Sequence, residues 1–155
     1  LIVRLKDNYD GAEPAGNSVA SLALLKLAAI TDRKGYRQAA EKTLRFFARR
    51  IRDLPQAMPH LLGALAFWLG EPQRIVVAGD PGSATTRELL LAAHATYQPD
   101  QVVLGTSGPV DPFASDLPAF GASSPAYLCT GSACQEPTSD ADRLRELLRQ
   151  SDSPG

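Results

Sequence analysis

Two carboxylates lie close together in the segment DGAEPAGNS, residues 10–18, directly before a long apolar run. Asp10 and Glu13 would divide the roles of general acid and general base if their surroundings separated their pKa values. Asp, Asn and Ser also cap helices, and acidic side chains are favoured near a helix N-terminus. Local rules therefore favour a cap at this position and keep catalysis as the alternative.

Further residues that could do chemistry follow along the chain. His60 begins an apolar helical stretch, where the helix dipole favours the neutral imidazole that accepts a proton or a hydrogen bond. A single His at a helix end is more often only a polar contact. The segment GDPGSATT, residues 79–86, could cradle a phosphate on its amides, but it lacks the endings of known phosphate loops. An ordinary turn between a strand and a helix is favoured there.

The cysteines Cys129 and Cys134 are spaced C-x4-C. This spacing is too wide for the C-x-x-C of a thioredoxin-type redox centre, and two thiols are too few for a closed zinc site. The favoured interpretation is a pair of reduced thiols, followed by a disulfide and lastly by a metal site. No metal and no cofactor are expected.

Periodicity predicts three helices in the first half of the chain, over 17–30, 36–52 and 59–69. The first and third are apolar on most sides, and the second has one apolar stripe and one charged face. Short connections make neighbouring helices antiparallel, so the first and third begin at the same end of the layer. Asp10, Glu13 and His60 are therefore expected at that end.

The second half alternates short apolar runs with helical stretches. Strands are predicted over 74–80, 100–105 and 126–131, helices over 84–97 and 139–150, and a long irregular connection over 106–125. A strand, a helix and a strand in this spacing favour a parallel βαβ unit. The fold class is predicted as α+β: a helical segment over 1–70, a small α/β subdomain over 71–150 with a mainly parallel three-stranded sheet, and a disordered tail over 151–155.

Composition limits the partners of this chain of 155 residues. A net charge of -1 and a pI near 6.1 disfavour nucleic acid and anionic membrane surfaces as partners. The longest apolar stretch, 19–30, is too short to cross a bilayer, and the start of the sequence has no signal-peptide pattern. A cytoplasmic location is expected.

Three stretches together resemble one known family: LKDNYDGAEPAGNSVASLALLKLAAIT, AMPHLLGALAFWLGEPQRIVVAGD and AYLCTGSACQEPTSDADRLRELL. They are similar to the C-terminal part of the YyaL-like, thioredoxin-domain-containing proteins, relatives of spermatogenesis-associated protein 20. The resemblance implies a longer parent chain, with a thioredoxin-like domain followed by an α/α toroid of the six-hairpin glycosidase type. Residues 1–70 would then be three helices of that toroid.

The family likeness also implies a function for the acidic loop. In such toroids the active site lies at one mouth, so Asp10, Glu13 and His60 are expected as catalytic residues and Asn17 as a substrate-binding residue of a carbohydrate pocket. The alternative is a non-catalytic structural or interaction module, redox-responsive through Cys129 and Cys134. The expected partners are the rest of the parent chain, a carbohydrate, and a second copy that covers the exposed toroid helices.

Overall fold

The computed structural model describes residues 8–95, 97–119 and 124–151. The chain divides into two compact units, which we call the helical unit, Leu1–Glu71, and the α/β unit, Pro72–Gly155. Of the predicted tail 151–155, Ser151 belongs to a helix and is its last residue. The rest of that tail lies outside the described residues.

The helical unit contains three α-helices: α1 (Gly16–Thr31), α2 (Lys34–Asp53) and α3 (Pro59–Leu69). A single 3-10 turn, Pro55–Ala57, separates α2 from α3. Asp32 caps the C-terminus of α1. Its backbone is left-handed, and its N–H donates to the carbonyl of Ala28. Because proline has no N–H and suits the first helical position, Pro59 begins α3. The three predicted helices are confirmed to within three residues at each end.

Packing in the helical unit follows from the apolar stripe of α2. That helix buries Ala40, Leu44, Phe47 and Ile51, which recur every three or four residues, while its charged positions face solvent. Helix α1 packs against both α2 and α3. Several apolar side chains of α1 and α3 stay exposed, among them Val19, Leu27 and Leu69. The association of two copies through these helices stays a prediction.

The α/β unit contains a four-stranded sheet and three helices. In chain order the elements are β1 (Gln73–Val77), α4 (Ala84–His94), β2 (Gln101–Gly105), α5 (Pro112–Ser115), β3 (Ala126–Thr130), β4 (Ala133–Cys134) and α6 (Ala141–Ser151). The strand order is β2-β1-β3-β4. Strands β1 and β2 are parallel, whereas β3 is antiparallel to both β1 and β4. The α+β class is confirmed, but the prediction of a mainly parallel, three-stranded sheet is wrong.

The direction of β3 has a physical cause in its connection. A third parallel strand would need a crossover that returns the chain to the starting edge of the sheet. Strand β3 instead begins at the edge where β2 ends and runs antiparallel to β1. The connection over 106–125 was predicted as irregular, yet it contains α5. Strand β4 follows β3 through the two-residue turn Gly131–Ser132, in which Gly131 has a φ of 58°.

The main core of the α/β unit lies between one face of the sheet and the helices α4 and α6. Its members are fully or almost fully buried apolar side chains: Ile75, Val77, Leu89, Ala92, Ala93, Ala126, Leu128, Leu144 and Leu148. Burying one leucine of this kind contributes about 2 kcal/mol to folding. The opposite face carries Arg74 and Val76, and α5 packs there through Phe113, whose ring lies 5.1 Å from the Arg74 guanidinium.

Gly79 lies where β1 leads into α4, and it leaves no room for a side chain. A Cβ at this position would lie 2.2 Å from Ser124 Oγ and 2.6 Å from Ser124 Cβ. Ser124 is buried and bonded to Thr86 Oγ1 at 2.8 Å. The strand predicted over 74–80 ends at Val77, and Gly79 belongs to a closely packed turn after it.

Replacing Gly79 by Ala is expected to lower the free energy of unfolding by about 2 kcal/mol, because Ser124 must move out of a buried hydrogen bond. The matched control is Gly63→Ala in α3, where nothing lies within 4 Å of an added Cβ. That change should raise stability by about 0.5 to 1 kcal/mol through helix propensity. Urea unfolding of both variants measures the difference, and equal stability of the two would contradict the close packing at Gly79.

Candidate functional site

Asp10 is a buried carboxylate that joins two helix N-termini. Its Oδ1 accepts a hydrogen bond from the N–H of Ala15 at 2.8 Å. Its Oδ2 accepts from the N–H groups of His60 at 2.9 Å and Leu61 at 3.2 Å. The N–H of Asp10 itself donates to the carbonyl of Ala57 at 2.8 Å. The loop before α1 is thereby fastened to the beginning of α3.

The helix ends explain why a carboxylate is needed there. The first N–H groups of a helix have no partner within the helix. Neither Ala15 before α1 nor Met58 before α3 supplies a side-chain cap. Asp10 bonds the amide of Ala15 and two amides of α3, and its negative charge lies at the positive ends of both dipoles. The two N-termini thus lie together at one end of the helical unit.

The protonation of Asp10 follows from this setting. Burial raises the pKa of the Asp10 carboxyl, but the hydrogen bonds from the amides of Ala15, Leu61 and His60 act in the opposite direction and prevail. The pKa is lowered from its ordinary value of 3.8, so the group is charged at neutral pH. A charged carboxylate with both oxygens bonded to amides positions its surroundings and has no proton to donate as a general acid.

The other three residues predicted for this site differ in their burial and in their relation to Asp10. Glu13 is exposed on the loop, and its carbonyl accepts the N–H of Gly11 at 3.1 Å. His60 is half-buried in the first turn of α3 and is joined to Asp10 through its backbone N–H. Asn17 is half-buried in the first turn of α1. The structure therefore joins Asp10 to His60 through the backbone N–H of His60, whereas Glu13 and Asn17 are its neighbours along the chain, each two residues from Ala15.

The cysteines lie in the α/β unit and form a disulfide between Cys129 and Cys134. The interpretation of two reduced thiols is therefore wrong. The two-residue turn places Cys129 of β3 directly opposite Cys134 of β4, with their Cα atoms 4.0 Å apart. A Gly-Ser pair between two short strands is a known hairpin signal, and sequence reasoning missed it.

A second buried ionic group was also missed. Arg74 of β1 bonds Asp111 through Nη1 and Oδ2 at 2.5 Å, and these side chains are 13% and 5% exposed. Its Nη2 also donates to the carbonyl of Gly131 in the hairpin turn. Asp111 Oδ1 accepts the N–H of Ala114 and so caps α5. A single Arg inside the apolar run RIVV was the available signal, because a charge in such a strand needs a partner.

No group of three or more His, Cys, Asp or Glu side chains in residues 8–95, 97–119 and 124–151 could hold a metal ion. In the same part of the chain, no helix has both the length and the hydropathy that a membrane span requires.

The chain is similar in sequence to several known proteins. The chain is 34% identical to spermatogenesis-associated protein 20 of Rattus norvegicus over 157 residues, which is 97% of this chain and 20% of that protein. It is 34% identical to the Homo sapiens protein of the same name, over 96% of this chain and 20% of that protein. An uncharacterised protein of Caenorhabditis elegans is 30% identical over 96% of this chain and 21% of its own length.

The matches cover only a part of each relative. The chain spans about a fifth of the length of these relatives. No family model matches it, and no solved structure matches it. Over nearly its whole length, the chain is homologous to a segment of spermatogenesis-associated protein 20.

Proposed function

We propose that the N-terminal end of the helical unit is one wall of a carbohydrate pocket in a longer, cytoplasmic, carbohydrate-processing protein. In this proposal α1, α2 and α3 are three helices of an α/α toroid, a thioredoxin-like domain precedes the toroid, and the rest of the parent chain completes the pocket. Glu13 supplies a carboxylate, His60 supplies an imidazole, and Asn17 contacts the sugar. Asp10 is the positioning residue that holds the wall together.

The observation that carries the proposal is the bonding of Asp10 to the beginnings of both α1 and α3. A rigid loop at the joined ends of two helices holds the exposed carboxylate of Glu13 in a defined place. Because the carboxylate of Asp10 is occupied by amides, Glu13 is the acidic group of this loop that is exposed to a ligand. Carbohydrate is the ligand class because the resemblance to toroid enzymes implies it, which is a fold analogy.

The Glu13→Gln variant of the full-length protein tests this role. Binding to an array of neutral and acidic oligosaccharides is expected for the unmodified protein, and the variant should lose about tenfold or more in affinity for the bound sugar. A hydrogen bond to a charged group contributes about 1.5 to 3 kcal/mol, which corresponds to such a loss. The melting temperature should not change, because Glu13 is exposed.

The matched control is Glu71→Gln, which changes another exposed glutamate at the far end of the helical unit. It should bind the sugar as the unmodified protein does. Two results would refute the proposal: absence of oligosaccharide binding by the full-length protein, or equal affinities of the Glu13 and Glu71 variants. The second result would favour the non-catalytic structural module, in which the loop serves only to join helices.

A further inference from the structure

The two cysteines of the disulfide in the α/β unit differ in their exposure to solvent. Cys129 is fully buried in β3, whereas Cys134 is half-buried in β4, a strand of two residues at the edge of the sheet. A thiol that approaches from solvent therefore reaches the sulfur of Cys134 first. Access to the attacked sulfur is one of the factors that set the rate of thiol–disulfide exchange.

Arg74 connects this disulfide to a second element. In the register of β1 and β3, Arg74 lies directly opposite Cys129, and directly opposite residues share one face of the sheet. Its guanidinium bonds the carbonyl of Gly131, in the turn that the disulfide closes, and the carboxylate of Asp111. Asp111 in turn caps α5. One side chain thus contacts both the hairpin turn and the support of α5.

We propose that Cys129–Cys134 is a reversible thiol–disulfide exchange site opened by a dithiol, and that Arg74 transmits its redox state to α5. The thiolate of the dithiol attacks Sγ of Cys134 and forms a mixed disulfide. The bond between the two protein sulfurs breaks, and Cys129 leaves as a thiolate that then takes up a proton. The second thiol of the dithiol resolves the mixed disulfide, so that the dithiol is oxidised and both cysteines are reduced.

The surroundings of the two sulfurs favour this direction of attack. Because Cys129 is fully buried, its sulfur is the one that departs rather than the one that meets the incoming thiolate. Reduction removes the covalent link that closes the turn at Gly131. The carbonyl of Gly131 is then less constrained, and so is the hydrogen bond that it accepts from Arg74. The site uses residues of the α/β unit alone and is independent of the proposed carbohydrate wall.

Reduction of the native protein with dithiothreitol, followed by removal of the reductant and titration of the protein's free thiols, tests the exchange step. The oxidised chain should show no titratable thiol before reduction and two thiols after it, without denaturant. Two thiols already present in protein kept under oxidant would overturn the proposal. So would thiols that appear only once the protein has been unfolded.

The matched variants Cys129→Ser and Cys134→Ser test which sulfur is attacked. Each keeps one thiol, and the aromatic disulfide dithionitrobenzoate should modify Cys134 at least about tenfold faster than Cys129, because Cys129 is fully buried. Equal rates, or a faster reaction of Cys129, would contradict attack at Cys134. Circular dichroism of both variants shows whether the fold is kept. If either has unfolded, trapping the mixed disulfide in the unmodified protein with glutathione and mapping it by mass spectrometry decides the same point.

Amide hydrogen exchange of Ala114, Ser115 and Asp116, whose N–H groups donate to Asp111 and Pro112, tests the coupling to α5. Reduction of the unmodified protein should speed exchange in α5 at least about threefold, and Arg74→Lys should abolish that dependence because an ammonium does not present the planar fork that bonds both partners. Exchange in α5 that is the same in the oxidised and reduced protein would refute the transmission. That comparison needs no variant, so a failure of Arg74→Lys to fold would not leave the coupling undecided.

Discussion

Replacing Asp10 by Ala is expected to lower the free energy of unfolding of the protein by about 3 to 4 kcal/mol. The change removes the acceptor of three backbone N–H groups, two of which begin α3 and one of which precedes α1. Buried donors without a partner cost about 1 to 3 kcal/mol each, and partial access of water reduces the sum. Urea unfolding followed by circular dichroism measures the loss.

Two comparison variants separate the role of Asp10 from a general effect of charge. Asp10→Asn keeps the size of the side chain and one accepting oxygen, so it should cost about half as much. Glu13→Ala removes an exposed carboxylate from the same loop and should change stability by less than about 0.5 kcal/mol. If Asp10→Ala were as stable as Glu13→Ala, the bonds from the helix amides would not hold the loop in solution.

The pH dependence of this stabilisation follows from the direction of the pKa shift. Because the pKa of Asp10 is lower in the folded chain than its ordinary value of 3.8, folding favours the charged carboxylate. The stabilisation is complete above the pKa of the unfolded chain and is lost as the pH falls through the lower pKa of the folded chain. Unfolding at pH 6 and at pH 2 should therefore show a smaller difference between the unmodified protein and Asp10→Asn at the lower pH.

Replacing Asp111 by Ala is expected to have the largest effect in the α/β unit, a loss of about 4 kcal/mol. The change leaves the guanidinium of Arg74, which is 13% exposed, without its carboxylate. Breaking a buried ion pair by removing one partner costs about 3 to 5 kcal/mol, since the remaining charge stays out of water. The cap of α5 at Ala114 is lost with it. Thermal and urea unfolding of the purified chain measure this effect.

A double variant shows whether the cost comes from the unpaired charge. Arg74→Met combined with Asp111→Leu removes both charges, and it should recover most of the stability that Asp111→Ala loses, because apolar replacements of a buried pair are often neutral. Asp116→Ala changes an exposed carboxylate at the end of α5 and serves as the control. A double variant no more stable than Asp111→Ala would mean that the hydrogen bonds, and not the charge, hold this region.

Sequence patterns were sufficient for most of the local elements of the two units, but not for α5 and β4. The helices α1 to α3 follow from apolar periodicity and from proline and glycine at their limits, because these signals act within a few residues. The strands β1, β2 and β3 were located by their β-branched and apolar runs. The same local rules also identified the segment 10–18 as a helix entry and Asp10 as a capping residue. Which helices it caps was not contained in that pattern.

The tertiary structure decided the pairings between distant residues. Asp10 bonds amides of α3 that lie 50 and 51 residues further along the chain. Arg74 meets Asp111 across 37 residues. No local rule specifies such partners, because they depend on how the connecting segments route the chain. The antiparallel direction of β3 is a further case, since it depends on the edge of the sheet at which β3 begins.

By itself, then, the sequence determined α1 to α4 and α6, three of the four strands, and the α+β class, because hydrophobic period and turn residues are local properties of the chain. Only the tertiary structure decided that Asp10 holds two helices together, because two of the amides that donate to it begin another helix. It also decided that Cys129 and Cys134 are joined, since a tight hairpin places them opposite each other. The partners of these side chains depend on burial and on contacts between segments, which the sequence pattern alone does not specify.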